Sequence, residues 1–493
     1  MNFNNVLHIL GLFLFFLGLT MIPAMVISFY SEGGDLQALV ASFFATSGAG
    51  FIFALLFERS EEKISLTRKE GFLIVTLAWV SAAAFGGLPF LIYGVTPTFA
   101  DSFFETMSGF TTTGATVISG LDHLPRGILF WRAFTHWLGG MGIIVLAIAV
   151  LPVLGVGGMQ LYKAELPSPM KDKITPRVVD TAKLLWGVYV LISLTQFFVL
   201  MLVGMSAFDA ACHTFATMGT GGFSNYDASI GHFQSLHIEG VIIFFMAVAG
   251  MNFALHYRLL FTGDIKSFFG DGELRFYLLV ILIATVIITV DLHLNLFYEL
   301  GKSLRASLFT VVSIITTTGF ITDNFDKWPL SSRIILLLLM FIGGCAGSTG
   351  GAIKCLRILL IIKHSYLEFY RLIHPHAVVA VKLGKQTVPA DIMASIRSFF
   401  SSTYQRPSSP LCAWPSWGSI SSAPSRPWPP PWETWGRVSA WSIPHQTSSR
   451  SPRRASGSCL SACSWDDLKS LRFSSFSFPI SGKNRIESPP RLC

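Results

Sequence analysis

Apolar residues gather in eight blocks, at approximately 5–29, 37–57, 72–93, 128–155, 182–204, 238–262, 276–298 and 332–363. A bilayer core is crossed by about 20 apolar residues, so the blocks predict eight membrane helices. Three connections between them each hold a stretch that is neither polar nor long. Phe99 to Phe110, Ala207 to Met218 and Lys302 to Ile315 are moderately apolar and about a dozen residues each. They are too short to cross and too apolar to lie in water, which predicts re-entrant half-helices. Asp101, Asp209 and Ser303 stand where N-caps are expected.

Each half-helix runs into a glycine-ended segment. The first and third are Thr111-Thr112-Thr113-Gly114 and Thr316-Thr317-Thr318-Gly319. The second is the variant Gly219-Thr220-Gly221-Gly222. Counting from Gly114, Gly222 and Gly319 puts the three in register. Ten residues before lie Phe104, Cys212 and Phe309; six before lie Ser108, Ala216 and Ser313; two before lie Thr112, Thr220 and Thr317. Forward by 25, 28 and 25 residues lie Gly139, Gly250 and Gly344. Such internal repetition marks units of a membrane transport protein. The predicted division is a two-helix lead-in at 1–57, then pore repeats at 72–162, 179–262 and 274–364. A cytoplasmic linker follows at 365–395, opening a further repeat. The predicted fold is an all-α polytopic membrane protein: helix–pore-helix–helix units around a central ion pore, with two additional N-terminal helices.

Composition agrees. The chain has 493 residues, 13% charged, with mean hydropathy +0.56; a soluble chain has about 25% charged residues. Val6 to Tyr30 lacks a basic leading region and is too long for a signal segment, so it is read as the first membrane helix. The net charge of +8 does not point to nucleic acid, because Lys and Arg concentrate in alternate loops. Among the first 390 residues, loops 58–71, 163–178, 257–275 and 354–389 hold most of them, while 30–36 and 205–237 have none. The positive-inside rule makes the first set, and the N-terminus, cytoplasmic. Cys212, Cys345 and Cys355 have no zinc spacing and are read as apolar packers.

After about Ala394 the composition changes. Residues 401–493 hold 13 of the 24 Pro and 7 of the 12 Trp. Pro429-Pro430-Pro431 and Ser449 to Ser456 cannot continue a membrane helix. The region 396–493 therefore lacks a pore helix, a filter glycine and a final span. It is read as a low-complexity tail or as a stretch translated out of frame, and its clustered Trp favours the latter.

The chemistry follows from the three segments. A pore for a monovalent cation must replace hydration oxygens, and backbone carbonyls do so without a fixed charge. Glycine accepts the positive φ this requires. The half-helix C-termini add partial negative charge. Thr112, Thr113, Gly114, Thr220, Gly221, Gly222, Thr317, Thr318 and Gly319 are thus the candidate filter. One Thr-rich turn before a glycine is commonplace; three at matched depth are not. The eighth block is interrupted by Gly343, Gly344, Gly347, Ser348, Thr349, Gly350 and Gly351. Irregular backbone at membrane depth needs protein or a water-filled cavity around it. This loop is read as a gate below the third segment; a glycine packing seam is the other reading.

Gly347-Ser348-Thr349-Gly350 is not a nucleophile elbow, since Ala346 stands at its first glycine. Nor is it a phosphate loop. Scattered His and Asp offer no converging catalytic set, so the chain is not read as an enzyme. His136 and His256 are read as helix-contact residues, with cavity-lining or proton-linked roles as the other readings. Asp101 and Glu105 stand near the proposed mouth, as cation attractors or caps. A secondary transporter coupling Na+ or H+ to another solute also suits broken helices and repeats.

TTTGATV at 111–117, MGTGGFSN at 218–225, TTTGFIT at 316–322 and FIGGCAGSTGGAIK at 341–354 resemble the potassium-transporting membrane subunit of the bacterial Trk/Ktr superfamily, its TrkH branch most of all. The resemblance covers about residues 1–395. It implies four helix–pore–helix repeats after two extra helices, and potassium as the transported ion with no bound cofactor. It also implies a homodimer in the inner membrane and a cytosolic nucleotide-binding ring as regulatory partner. Gly114, Gly222 and Gly319 match the family's filter glycines, and 343–351 matches its intramembrane gating loop. No fourth filter segment matches in 396–493.

Overall fold

The computed structural model describes residues 3–57, 68–153, 178–296, 299–377, 379–383, 386–388 and 390–405. Most of the predicted basic loops 58–71 and 163–178, and the tail from 406, lie outside these residues. The described chain is helical apart from its loops and a small hairpin pairing Lys382–Leu383 with Gln386–Thr387.

The lead-in helices are Phe3–Leu19 and Leu36–Leu56, with Ile22–Ser31 continuing the first after a break. Pro23 opens that continuation, where its missing N–H costs nothing. The two long helices cross at contact distance because glycines face each other. A Cβ on Gly50 would lie 2.3 Å from the Phe15 amide nitrogen, and one on Gly11 would lie 2.6 Å from that of Ala54. Small residues let membrane helices approach this closely. Gly50→Leu is therefore expected to destabilise the lead-in by about 2 kcal/mol or more, as overpacking does; thermal unfolding of the purified chain measures it.

The rest repeats one plan three times. Arg68–Gly86 with Leu88–Tyr93 leads to the half-helix Phe99–Phe110 and then the long helix Arg126–Val153. Val178–Leu202 leads to the half-helix Ala207–Met218 and then Leu236–Ala249. Gly272–Leu296 leads to the half-helix Leu300–Ile315 and then Leu330–Met340. One buried apolar cluster joins the lead-in to the first unit, through Leu14, Leu39, Phe110 and Trp131. Another joins the second and third, through Met246, Tyr277, Phe309 and Ile315.

Five stretches among the described residues are long and apolar enough to cross a membrane: Phe3–Ser31, Leu36–Leu56, Lys69–Tyr93, Lys183–Leu202 and Gly272–Leu296. Two predicted blocks differ from single straight spans. Block 238–262 bends by 103° between Leu236–Ala249 and Phe253–Thr262. Gly250 caps the first piece and Asn252 caps the second, its side chain accepting from the Ala254 amide. Block 332–363 divides into Leu330–Met340 and Cys355–Ile373, with the glycine-rich loop between.

The predicted caps also move. Thr98 and Ser206 are the N-caps; their hydroxyls accept from the Asp101 and Asp209 amides. The aspartates sit three residues inside, where they favour the positive end of the helix. In the third half-helix Glu299 takes the cap position without a side-chain cap bond, and Ser303 is already helical. At the end of the linker, Ala390–Gln405 is helical and crosses the expected composition boundary at 395. Met393 and Ile396 on it pack with Leu356 and Leu360 of Cys355–Ile373.

Candidate ion pathway

The three half-helices end alike. The residue two before each glycine is left-handed: Thr112 at φ 53°, Thr220 at 52° and Thr317 at 57°. Its amide turns back to the helix, Thr112 to the Gly109 carbonyl, Thr220 to Thr217 and Thr317 to Ile314. The next amide reaches further back: Thr113 to Ser108 at 2.8 Å, Gly221 to Ala216 at 2.7 Å and Thr318 to Ser313 at 2.9 Å. These paired bonds form a Schellman closure. Gly114, Gly222 and Gly319 then take φ of 78°, 77° and 80°.

A left-handed β-branched residue is a genuine outlier, and each costs about 1–2 kcal/mol. Three at one register show a backbone held against its preference. The closure consumes the amides and turns the carbonyls elsewhere. Among the described residues, no donor reaches the backbone carbonyls of Thr220, Gly221, Gly222, Thr317, Thr318 or Gly319. Buried backbone carbonyls are normally paired, so a row without protein donors is suited to a cation.

The second and third segments meet directly. A Cβ on Gly222 would fall 1.8 Å from the Thr318 carbonyl oxygen. Further along, Gly231 N–H donates to the Ile321 carbonyl and Ile321 N–H to the Ser229 hydroxyl. The first segment joins the second through its own following helix. Gly140 of Arg126–Val153 lies against Gly219, and His136 lies against Gly221. The Leu121 amide adds a bond of 3.1 Å to the Asp227 carboxylate.

The glycine-rich loop lies at the inner ends of the second and third half-helices. Gly351 N–H donates to the Thr317 hydroxyl at 2.7 Å. The Thr349 hydroxyl is placed to donate to the carbonyls of Met218 at 3.0 Å and Ala249 at 3.3 Å. Cys345 N–H donates to the Gly250 carbonyl, and Phe253 N–H to that of Gly347. The bend in the broken span and the loop thus hold each other. Glu273 pins both ends of the loop, accepting from the amides of Ala346 at 2.6 Å and Leu356 at 3.1 Å. The Lys354 ammonium reaches back to the carbonyls of Gly350 and Ser348. Gly343 N–H pairs with the Ile353 carbonyl across the loop's mouth. Gly344 lies against the Gly250 carbonyl, and Gly347 is left-handed beside Asn252.

Comparison with known proteins matches this chain, over residues 36–403, to the family model TrkH, described as a cation transport protein. The chain belongs to the TrkH family of cation transport proteins. It is 45% identical over 406 residues to the Trk system potassium uptake protein TrkH of Salmonella typhimurium, covering 81% of this chain and 83% of that one. It is 44% identical over 405 residues to the protein of the same name from Halomonas elongata. The crystal structure of the potassium transporter TrkH from Vibrio parahaemolyticus superposes with a TM-score of 0.72 at 38% identity, covering 81% of this chain and 83% of that one. The TrkH match ends at 403, eight residues beyond the stretch given for the resemblance.

Two carboxylates expected near the mouth of this TrkH-family pathway have other work. Asp101 belongs to the start of its half-helix, its carboxylate accepting from the Thr98 hydroxyl. Glu105 is buried and ion-paired with Arg132 at 2.7 Å. His136 stacks on Phe223, ring centroids 3.9 Å apart. A His256 ring nitrogen lies 3.0 Å from the Val248 carbonyl, beside the bend of the broken span. Both histidines are buried contacts between elements. Sequence reading missed Arg132, Glu273 and Lys354. Arg132 inside an apolar block was the available signal, because a charge at that depth needs a partner.

Proposed function

We propose that this chain takes up potassium across the bacterial inner membrane, its ion held by the carbonyls of three filter segments. The observation that carries this reading is the shared backbone at Thr112–Gly114, Thr220–Gly222 and Thr317–Gly319, with left-handed residues at matching positions. Three closures of the same shape, two of them with carbonyls that meet no donor among the described residues, suit a dehydrated monovalent cation. The names of the relatives specify potassium. The division into a lead-in at 1–57 and pore repeats at 72–162, 179–262 and 274–364 follows from the same register. Loop 343–351 is the gate in this reading, since it touches the end of the second half-helix at Met218 and the third filter segment at Thr317.

The N-terminus is cytoplasmic, on the distribution of Lys and Arg. Family membership supports a homodimer working with a cytosolic nucleotide-binding ring. Rescue tests the function: the chain is expected to restore growth of a potassium-uptake-deficient bacterium on low potassium. Failure with the protein present in the membrane counts against the reading. Growth restored by sodium-driven uptake of another solute favours a coupled transporter.

A further inference from the structure

We infer that the buried Glu105–Arg132 pair is a positioning device for ion discrimination, setting the spacing between the first and second filter segments. The inference rests on the filter reading above. Glu105 lies nine residues before Gly114 in the first half-helix, and Arg132 lies in the helix that follows. They are 0% and 2% exposed. Each also grips the strand leaving a filter segment. Glu105 accepts from the Thr116 hydroxyl at 2.9 Å and the Val117 amide at 2.9 Å. Arg132 donates through Nε to Glu105 at 2.7 Å and through Nη1 to the Ser224 carbonyl at 3.0 Å. Thr116 is two residues beyond Gly114 and Ser224 two beyond Gly222, so one ion pair bridges equivalent points of two segments.

Phe223, next to Gly222, is held between the same groups. The Arg132 guanidinium lies 3.6 Å from its ring centroid, and His136 stacks on it with an interplanar angle of 18°. The matching position of the second half-helix is His213, whose Nε2 lies 3.1 Å from the Ser224 hydroxyl. That brace stays within its own repeat. At the third, the matching residue is the uncharged Thr310.

Stability alone does not account for a charge pair here, because an apolar pair of similar volume holds such a site as well or better. What the pair adds is fixed geometry: planar, directed, charge-assisted bonds. Potassium and sodium differ in size by a fraction of an ångström. Selectivity therefore depends on how carbonyls from different segments are held, whether by cavity size or by field strength.

Removing one partner strands the other charge, so the informative variant is neutral on both sides: Glu105→Gln with Arg132→Met, in the full chain. In a potassium-uptake-deficient bacterium, the ratio of potassium to sodium uptake is expected to fall about tenfold, the order of one charge-assisted hydrogen bond. The amount of protein in the membrane is expected to stay near that of the parent. An unchanged ratio overturns the inference. If the double variant does not reach the membrane, Glu105→Asp decides. It keeps both charges and withdraws the carboxylate by one methylene, so a reduced ratio supports the inference and a parental ratio overturns it. A parent chain that does not discriminate potassium from sodium overturns the filter reading itself, and the inference with it.

Discussion

Gly222→Ala is expected to lower potassium uptake at least tenfold and to erase most discrimination against sodium. The added methyl has nowhere to go. It would stand 1.8 Å from the Thr318 carbonyl oxygen, and that neighbour is backbone. The residue also sits at φ 77°, where an L side chain costs about 1–2 kcal/mol. Overpacking a tight site costs about 1–3 kcal/mol more. Relief requires the second and third segments to separate, which moves carbonyls of both. Gly120→Ala is the control: φ there is 74°, but an added Cβ meets nothing within 4 Å. It carries the backbone penalty without the collision, and uptake near the parental level is expected. Rubidium uptake in a deficient strain measures both. Equal losses in the two variants would show that strain, and not contact between segments, sets the effect.

The second large effect is an increase. Replacing Gly343 to Gly350 by a short flexible linker is expected to raise ion flux about 30-fold. The loop holds its place through Thr349 on Met218 and Ala249, Cys345 on Gly250 and Ala346 on Glu273. Net hydrogen bonds contribute about 1 kcal/mol each, so losing two or more shifts a closed-to-open balance by about 2 kcal/mol, or about 30-fold. The Glu273 anchor has an independent variant. Glu273→Gln keeps an acceptor but drops the charge, so its increase in flux is expected to be smaller. Flux unchanged in the loop replacement, with the protein inserted, would make the loop a packing seam and not a gate.

Much of this arrangement was written locally. The half-helices end where the glycine-ended segments predict, because a Schellman closure is a property of about six consecutive residues. The register of six and two residues before each glycine coincides with specific roles. Ser108, Ala216 and Ser313 supply the accepting carbonyls; Thr112, Thr220 and Thr317 take the left-handed turn. Glycine alone was expected to carry positive φ, and threonine carries it too. Propensity disfavours threonine there, so only the closure around it explains the choice.

The features that escaped are contacts between distant residues or competition between neighbours. Glu105 and Arg132 are 27 positions apart, and no local periodicity links them. In the sequence Asp101 and Asp209 stand as cap candidates because Asp is a preferred N-cap residue. Thr98 and Ser206, three residues earlier, hold the cap itself, and the T/S-x-x-D spacing was the overlooked sign. Block 238–262 reads as one largely apolar stretch, and Gly250 and Asn252 are the residues at its break. Its 103° bend depends on partners brought from the loop: the Gly250 carbonyl accepts from Cys345, and the Phe253 amide donates to Gly347.

The most direct test is to see the ion. Crystals of the chain grown or soaked with rubidium or thallium should show anomalous density among the carbonyls of Thr112–Gly114, Thr220–Gly222 and Thr317–Gly319, stronger than with sodium-only controls. Density only elsewhere, with those carbonyls dry and closed on protein, would contradict the account.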